Sequence, residues 1–265
     1  MSDKPDTAPA PPRPAPLHPD FLRLPIAHRG LHGPGVPENS LAAFRAAIEG
    51  GYGIELDIQH SAEGEAVVFH DYDLARMVGS EGFVADVTLD ELAKMRLGKS
   101  DEGIPTLAAV LREVAGKVPL LIEIKDQDGR LGENIGDLQD RVATVLAGYD
   151  GPVAVMSFNP ETVTRFSTVA PQIASGLVSC AFSEDDWPML DDETRTRLAT
   201  LADVDRSGSS FISHDRTDLG NPAVASLKAR GIPVLAWTIR TPEAEATARQ
   251  IADNITFEGY PAARP

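Results

Sequence analysis

The sequence has one cysteine, few cations and no long apolar run. Cys180 alone excludes an internal disulfide and suits a reducing compartment. No stretch approaches the roughly 20 apolar residues of a membrane span. The chain does not open on a basic segment followed by an apolar one, so a secretory signal is not expected. Lys and Arg number 24 against 40 Asp and Glu, a formal net charge of −16. That balance argues against general binding of nucleic acid or of an anionic membrane. It leaves room for an anionic substrate, because a local group of cations and a metal inverts the field at one site. The expectation is a cytoplasmic protein with a small-molecule partner, no nucleic-acid partner and no stable membrane anchoring.

What is present is enough for a sizeable core: 265 residues, 42% of them hydrophobic. Residues 1–22 read as a flexible Pro/Ala-rich tail, because such a composition buries too little to order itself. Residues 23–265 read as a single domain. Apolar, β-branched runs recur at Ile26–His28, Ile54–Ile58, Val67–Phe69, Leu120–Lys125, Val153–Ser157, Ile173–Val178, Phe211–Ser213, Pro233–Trp237 and Asn254–Thr256. Helix signals fall between them. Asn39 or Ser40 caps Leu41–Glu49, Thr106 caps Leu107–Val114, and Pro160 stands at the first position of another helix. The gap before Val67 is too short for a crossover, so that strand reads as the return arm of a hairpin. Eight strands then alternate with helices, which predicts an α/β fold with a TIM (β/α)8 barrel, a doubly wound sheet being the alternative. Residues 72–105 form a small insertion after the second barrel strand. The acidic stretch 183–210 reads as a solvated, partly helical segment.

Two of these strands carry charge where a barrel interior is normally apolar. In Ile54-Glu55-Leu56-Asp57-Ile58 the carboxylates share one face. In Leu121-Ile122-Glu123-Ile124-Lys125 the Glu and Lys share one face. Side by side, these strands would gather three carboxylates and an ammonium, and burying such a set without a cation is costly. His28 and Arg29 end the first strand and Trp237 ends a late one, the end at which TIM barrels carry their active sites.

In order along the chain stand Ala27-His28-Arg29-Gly30, Pro37-Glu38-Asn39-Ser40, Glu55-Leu56-Asp57, His70-Asp71 and Glu123-Ile124-Lys125. Ile104-Pro105-Thr106-Leu107 and Trp237-Thr238 complete the series. Over residues 25–258 this pattern resembles the glycerophosphodiester phosphodiesterases. The resemblance implies a TIM barrel and metal-dependent hydrolysis of glycerophosphodiesters to sn-glycerol 3-phosphate and an alcohol. It implies Glu55, Asp57 and Glu123 as ligands of Ca2+ or Mg2+, His28 and His70 as the acid/base pair, and Arg29 and Lys125 as phosphate contacts. Trp237 is a candidate substrate contact. These residue types suit the chemistry: oxygen-only ligands select a hard cation, Arg29 offers a planar fork for phosphate, and imidazoles trade protons near neutral pH.

Other residues carry weaker expectations. His18 reads as inert and His60 as a surface residue, while His32 and His214 have positions from which a substrate is reachable. Glu38 and Asn39 match the family motif, with capping and loop ordering as the plainer reading. Asp71 either orients His70 or caps a turn. Family members commonly place Thr-Asp after the last strand. Here Thr256-Phe257-Glu258 shifts and lengthens the carboxylate, with head-group preference the expected consequence. The rival reading is a lipid-directed phosphodiesterase of phospholipase type, which would call for an apolar rim at the barrel mouth. No loop stretch announces one. A non-catalytic binding barrel would have lost a histidine or carboxylate, and none is missing.

Overall fold

The computed structural model describes residues 15–264. Its strands are β1 (Ile26–Ala27), β2 (Gly53–His60), β3 (Ala66–Val68), β4 (Leu120–Ile124), β5 (Val153–Ser157), β6 (Ala174–Ser179), β7 (Phe211–Asp215), β8 (Val234–Ile239) and β9 (Asn254–Phe257). Parallel pairing runs β1-β9-β8-β7-β6-β5-β4-β2, and β1 pairs again with β2 to close the ring. The result is an eight-stranded TIM barrel. β3 stands outside it, antiparallel to β2 with Ile58 opposite Val68. The hairpin and every barrel strand expected from the pattern are present.

The helices start where the sequence supplies acceptors for their free N–H groups. Ser40 takes the Ala43 N–H at 3.1 Å, Thr106 takes that of Ala109 at 3.2 Å, and Asn159 takes that of Glu161 at 2.9 Å. Of the two candidates for the Leu41–Gly50 cap, Ser40 does the capping. Asn39 is freed for the site below.

Alternation along the strands builds two layers. Ile54, Leu56, Ile58, Ile122 and Ile124 face outward into the main core beneath the helices. The inward face is apolar toward the N-terminal end, with Ile26, Leu121, Ala154, Ala174, Phe211 and Leu235 in one cluster. It turns polar toward the C-terminal end. Leu17 and Phe21 belong to the inner cluster, with Phe21 fully buried. This corrects the tail boundary. Over residues 15–22 the chain packs against the barrel, helix Asp20–Arg23 included, and Asn254 Nδ2 donates to Phe21 O and Leu24 O at 2.7 and 2.6 Å. An N-terminal apolar pair that closes the open floor of the inner layer gains burial that composition alone does not reveal. The rest of the expected tail, residues 1–14, lies outside the described residues.

The insertion after β2 has a core of its own, including Phe69, Leu74, Val84, Leu92, Leu97 and Ile104. It seats a short helix, Ala75–Val78, beside the strand ends that carry the site.

Candidate active site

Asp57 of β2 and Glu123 of β4 are directly paired across the sheet, and Glu55 pairs with Leu121. Partners in a parallel pair point the same way, so all three carboxylates enter the barrel. One oxygen from each lies within 4.8 Å of the others, and all three residues are buried. Two cations interleave with them. Lys125 Nζ stands 2.7 Å from Asp57 Oδ1 and 2.5 Å from Glu123 Oε1, while Arg29 Nε lies 3.3 Å from Asp57 Oδ2. Asn39 Nδ2 donates to Asp57 Oδ2 at 2.8 Å.

Glu55 has no cation of its own among the described residues. Its Oε2 accepts the Arg29 N–H at 2.8 Å. Burial, with the Asp57 and Glu123 charges beside it, pushes its carboxyl well above the usual range. Burial also raises Glu123. Asp57 is desolvated too, but Lys125, His70 and Arg29 outweigh that and hold it ionised. Three carboxylates thus crowd two cations, and Glu55, with no cation of its own among the described residues, is the one least favoured as an anion. The donors are all oxygen, with no thiolate or imidazole in the cluster, so these residues fit a hard divalent cation.

The backbone that presents Arg29 is unusual. Arg29 has φ 54° and Gly30 φ 78°. A Cβ on Gly30 would sit 2.8 Å from Ala43 Cβ and 2.9 Å from Phe44 Cδ1, so only glycine lets this loop lie against helix Leu41–Gly50. The turn aims the Arg29 N–H at Glu55 and its Nη1 at Glu38 Oε1, 2.8 Å away.

Both expected histidines are anchored through Nδ1 to a carboxylate. His28, just after β1, lies 2.6 Å from Glu258 Oε2, and His70, shortly after β3, lies 2.7 Å from Asp71 Oδ1. An Nδ1–H given to a carboxylate leaves Nε2 as the free proton acceptor. Burial lowers the His28 pKa, with Glu258 opposing. Burial and then the Lys125 charge lower His70 to about 4. The Asp57 charge acts on both rings, which ties them to the carboxylate cluster.

The remaining candidates fall into place. Trp237 spends its N–H on Ser213 O at 2.9 Å and packs T-shaped with Phe158, 5.6 Å between centroids. His32 Nε2 lies 3.5 Å from Glu258 Oε2. His214 is fully buried, with Nδ1 on Ser179 Oγ at 2.8 Å and Nε2 on Asp218, and is a satisfied core residue. His60 lines a cavity of about 860 Å³ that opens beside His70, Glu123 and Lys125. Trp187 and Met189 line the same cavity, so part of the acidic 183–210 segment is site wall rather than solvated surface. The cavity rim is apolar: Tyr72, Phe83 and Met189 are 46, 57 and 66% exposed. This corrects the expectation that the mouth lacks such a rim. The three residues are far apart in sequence, so no stretch reveals it.

Sequence reasoning missed Glu258 as the partner of His28, along with Arg76. The position of Glu258 directly after β9, beside β1 in the closed ring, was the available signal. Arg76 gave none, because it lies in what reads as a peripheral insertion.

A TIM barrel with a carboxylate cluster, two anchored histidines and two phosphate-competent cations at its C-terminal strand ends defines the class: a phosphoric diester hydrolase. The model of the glycerophosphoryl diester phosphodiesterase family matches residues 28–255, and the chain belongs to that family. YhdW of Bacillus subtilis (strain 168) is 30% identical over 245 residues, which span 89% of this chain and 94% of YhdW. The glycerophosphodiester phosphodiesterase of Caldanaerobacter subterraneus subsp. tengcongensis is 34% identical over 175 residues, 63% of this chain and 70% of that protein. Among solved structures, a phosphodiesterase of Oleispira antarctica, in complex with the product sn-glycerol-3-phosphate, superposes with a TM-score of 0.71. It is 27% identical, with 90% of this chain and 94% of that one covered.

Proposed function

We propose that this protein hydrolyses glycerophosphodiesters to sn-glycerol 3-phosphate and an alcohol, with a divalent cation, Ca2+ or Mg2+, held by Glu55, Asp57 and Glu123. The observation that carries the reading is the convergence of that cluster with two Nδ1-anchored histidines. A bound cation would polarise a phosphoryl oxygen and offset charge developing in the displacement. The protein's own residues do the rest. Arg29 and Lys125 orient the phosphate, Arg29 through its planar fork and Lys125 as a point charge. One imidazole Nε2 takes the proton of the attacking hydroxyl as its oxygen bonds to phosphorus. The bond from phosphorus to the alcohol oxygen breaks, that oxygen takes a proton from the other imidazole, which enters the step protonated at Nε2, and water then opens the cyclic phosphate left by the attack of the glycerol hydroxyl to give sn-glycerol 3-phosphate. The apolar part of Trp237 is a substrate-facing surface in this scheme. The single cysteine supports a cytoplasmic site of action, with the barrel, its packed residues 15–22 included, as the catalytic unit.

The test is release of sn-glycerol 3-phosphate from glycerophosphocholine, glycerophosphoethanolamine and glycerophosphoglycerol, with and without chelator. Loss of either His28 or His70 is expected to lower turnover about 10²- to 10⁴-fold. Full activity after thorough chelation refutes the metal assignment, and undiminished turnover of His28→Ala or His70→Ala refutes the acid/base pair. One observation favours a second reading, action on lyso or diradyl lipids: the apolar rim of Tyr72, Phe83 and Met189. Sedimentation with neutral phospholipid vesicles separates the two.

A further inference from the structure

Arg76 lies on the short insertion helix and touches none of the three carboxylates of the cluster, yet its guanidinium makes four carboxylate contacts. Nε donates to Asp71 Oδ2 at 2.6 Å and Nη1 to Glu38 Oε2 at 3.0 Å. Nη2 donates to Glu38 Oε1 at 2.7 Å and to Asp71 Oδ1 at 3.0 Å. Those last two oxygens are the ones that hold the site: Glu38 Oε1 accepts from Arg29 Nη1, and Asp71 Oδ1 binds His70 Nδ1. The chain of contacts is Arg29–Glu38–Arg76–Asp71–His70. We propose that Arg76 is a positioning residue of the active site, which fixes the phosphate-binding Arg29 and the acid/base His70 relative to each other through Glu38 and Asp71. The inference rests on the function proposed above.

The geometry demands a guanidinium. Two carboxylates must be gripped at once by donors in a fixed plane, and a lysine ammonium offers one point rather than a fork. Charge points the same way. Glu38 and Asp71 face each other across Arg76, and without its charge between them one would turn away. Glu38 would then pull Arg29 harder against its competing partner Asp57, and Asp71 would swing off His70. A role limited to fastening the insertion is the plain alternative. It predicts a change in stability and none in the reacting groups. The Arg76 side chain is about half exposed, so fastening alone is a weak effect.

The experiment compares wild type with Arg76→Ala and Arg76→Lys at saturating metal. Turnover of glycerophosphocholine by Arg76→Ala is expected to fall about 10- to 100-fold in kcat, with a thermal midpoint within about 2 °C of wild type. Free guanidinium restores part of the loss, and Arg76→Lys recovers little. A second measurement needs no turnover. In 15N-labelled wild type the His70 ring shows a fixed Nδ1–H tautomer, and in Arg76→Ala it shows a tautomer mixture. Unchanged kcat with an unchanged His70 ring overturns the proposal. So does a loss of activity that tracks unfolding and resists guanidinium. Absence of wild-type turnover refutes the proposed function instead, and the ring spectrum alone then decides the role of Arg76.

Discussion

Replacement of Glu258 by Gln tests whether the carboxylate after β9 governs His28. Its Oε2 is 2.6 Å from His28 Nδ1, and both side chains are mostly buried, 19 and 14% exposed. A hydrogen bond to a charged group in such a setting contributes about 1.5–3 kcal/mol. If it strengthens as the imidazole takes up a proton, its loss costs about 10- to 150-fold in kcat, at about 1.4 kcal/mol per tenfold. The glutamine keeps the shape but removes the charge. KM and metal affinity are expected to hold, because Glu258 touches none of the three carboxylates. The pH profile supplies an independent sign. Burial depresses the His28 pKa, and Glu258 opposes that depression through the hydrogen bond and its charge. Without the carboxylate the pKa falls further, so the His28 limb of kcat/KM moves to lower pH. Arg240, which gives Nε to Glu258 Oε1 at 2.6 Å, is 58% exposed, and its own removal is expected to change little. The assay is steady-state release of sn-glycerol 3-phosphate across pH at saturating metal. A kcat within about twofold of wild type and an unmoved limb would refute the reasoning.

Further outcomes follow from the same electrostatics. His70, held near 4, stays neutral through the physiological range, so at saturating metal its limb of kcat/KM lies well below the free-imidazole value of about 6.5; a limb at or above that value contradicts the assignment. Glu55 and Glu123 hold their protons more tightly than ordinary carboxylates in the metal-free protein, so cation binding releases protons and tightens as pH rises. Calorimetry in buffers of differing ionisation enthalpy reads this, and zero release just above the ordinary carboxylate range would oppose it. Because the folded pKa of Glu55 lies above its unfolded value, its destabilisation is absent at low pH and sets in as pH rises past the ordinary carboxylate range. Glu55→Gln should therefore raise the metal-free thermal midpoint at neutral pH while weakening metal binding; a lowered midpoint is the adverse result. Neutral vesicles should leave the protein in the supernatant, and retention abolished by Phe83→Asp would instead carry the lipid-directed reading.

The barrel was legible because two periods run through the sequence without conflict. Strands such as Val153–Ser157 are nearly all apolar, as double-faced burial requires, and caps such as Thr106 and Asn159 mark the helix starts. The floor of the barrel was not legible. Leu17 and Phe21 sit in a Pro-rich context that reads as tail, and their burial depends on an inner layer assembled from six distant strands. Glu55, Asp57 and Glu123 were legible for a different reason. A period of two puts charge on an interior face, and such a violation of local rules marks a functional position. The rim of Tyr72, Phe83 and Met189 breaks no local rule and is visible only after folding.

What the sequence hides most fully is the second tier around the histidines, and its arrangement follows a rule of its own. His28 is held by Glu258, and Glu258 by Arg240; His70 is held by Asp71, and Asp71 by Arg76. Each imidazole thus ends a relay of alternating charge that reaches the surface. The relay has a physical purpose. The outer guanidinium matters most at Asp71, where, against burial, Arg76 is the leading influence that keeps the carboxylate ionised, whereas Glu258 is held ionised first by His28 and His32, with Arg240 adding least. The two relays differ at their outer ends. Arg240 binds one carboxylate and stops, whereas Arg76 also holds Glu38 and through it Arg29. Under the proposed roles, substitution of Arg76 therefore reaches both the acid/base His70 and the phosphate contact Arg29, and substitution of Arg240 reaches only one ring through one exposed pair. The insertion, which composition and pattern assign to the periphery, carries the more consequential of the two arginines.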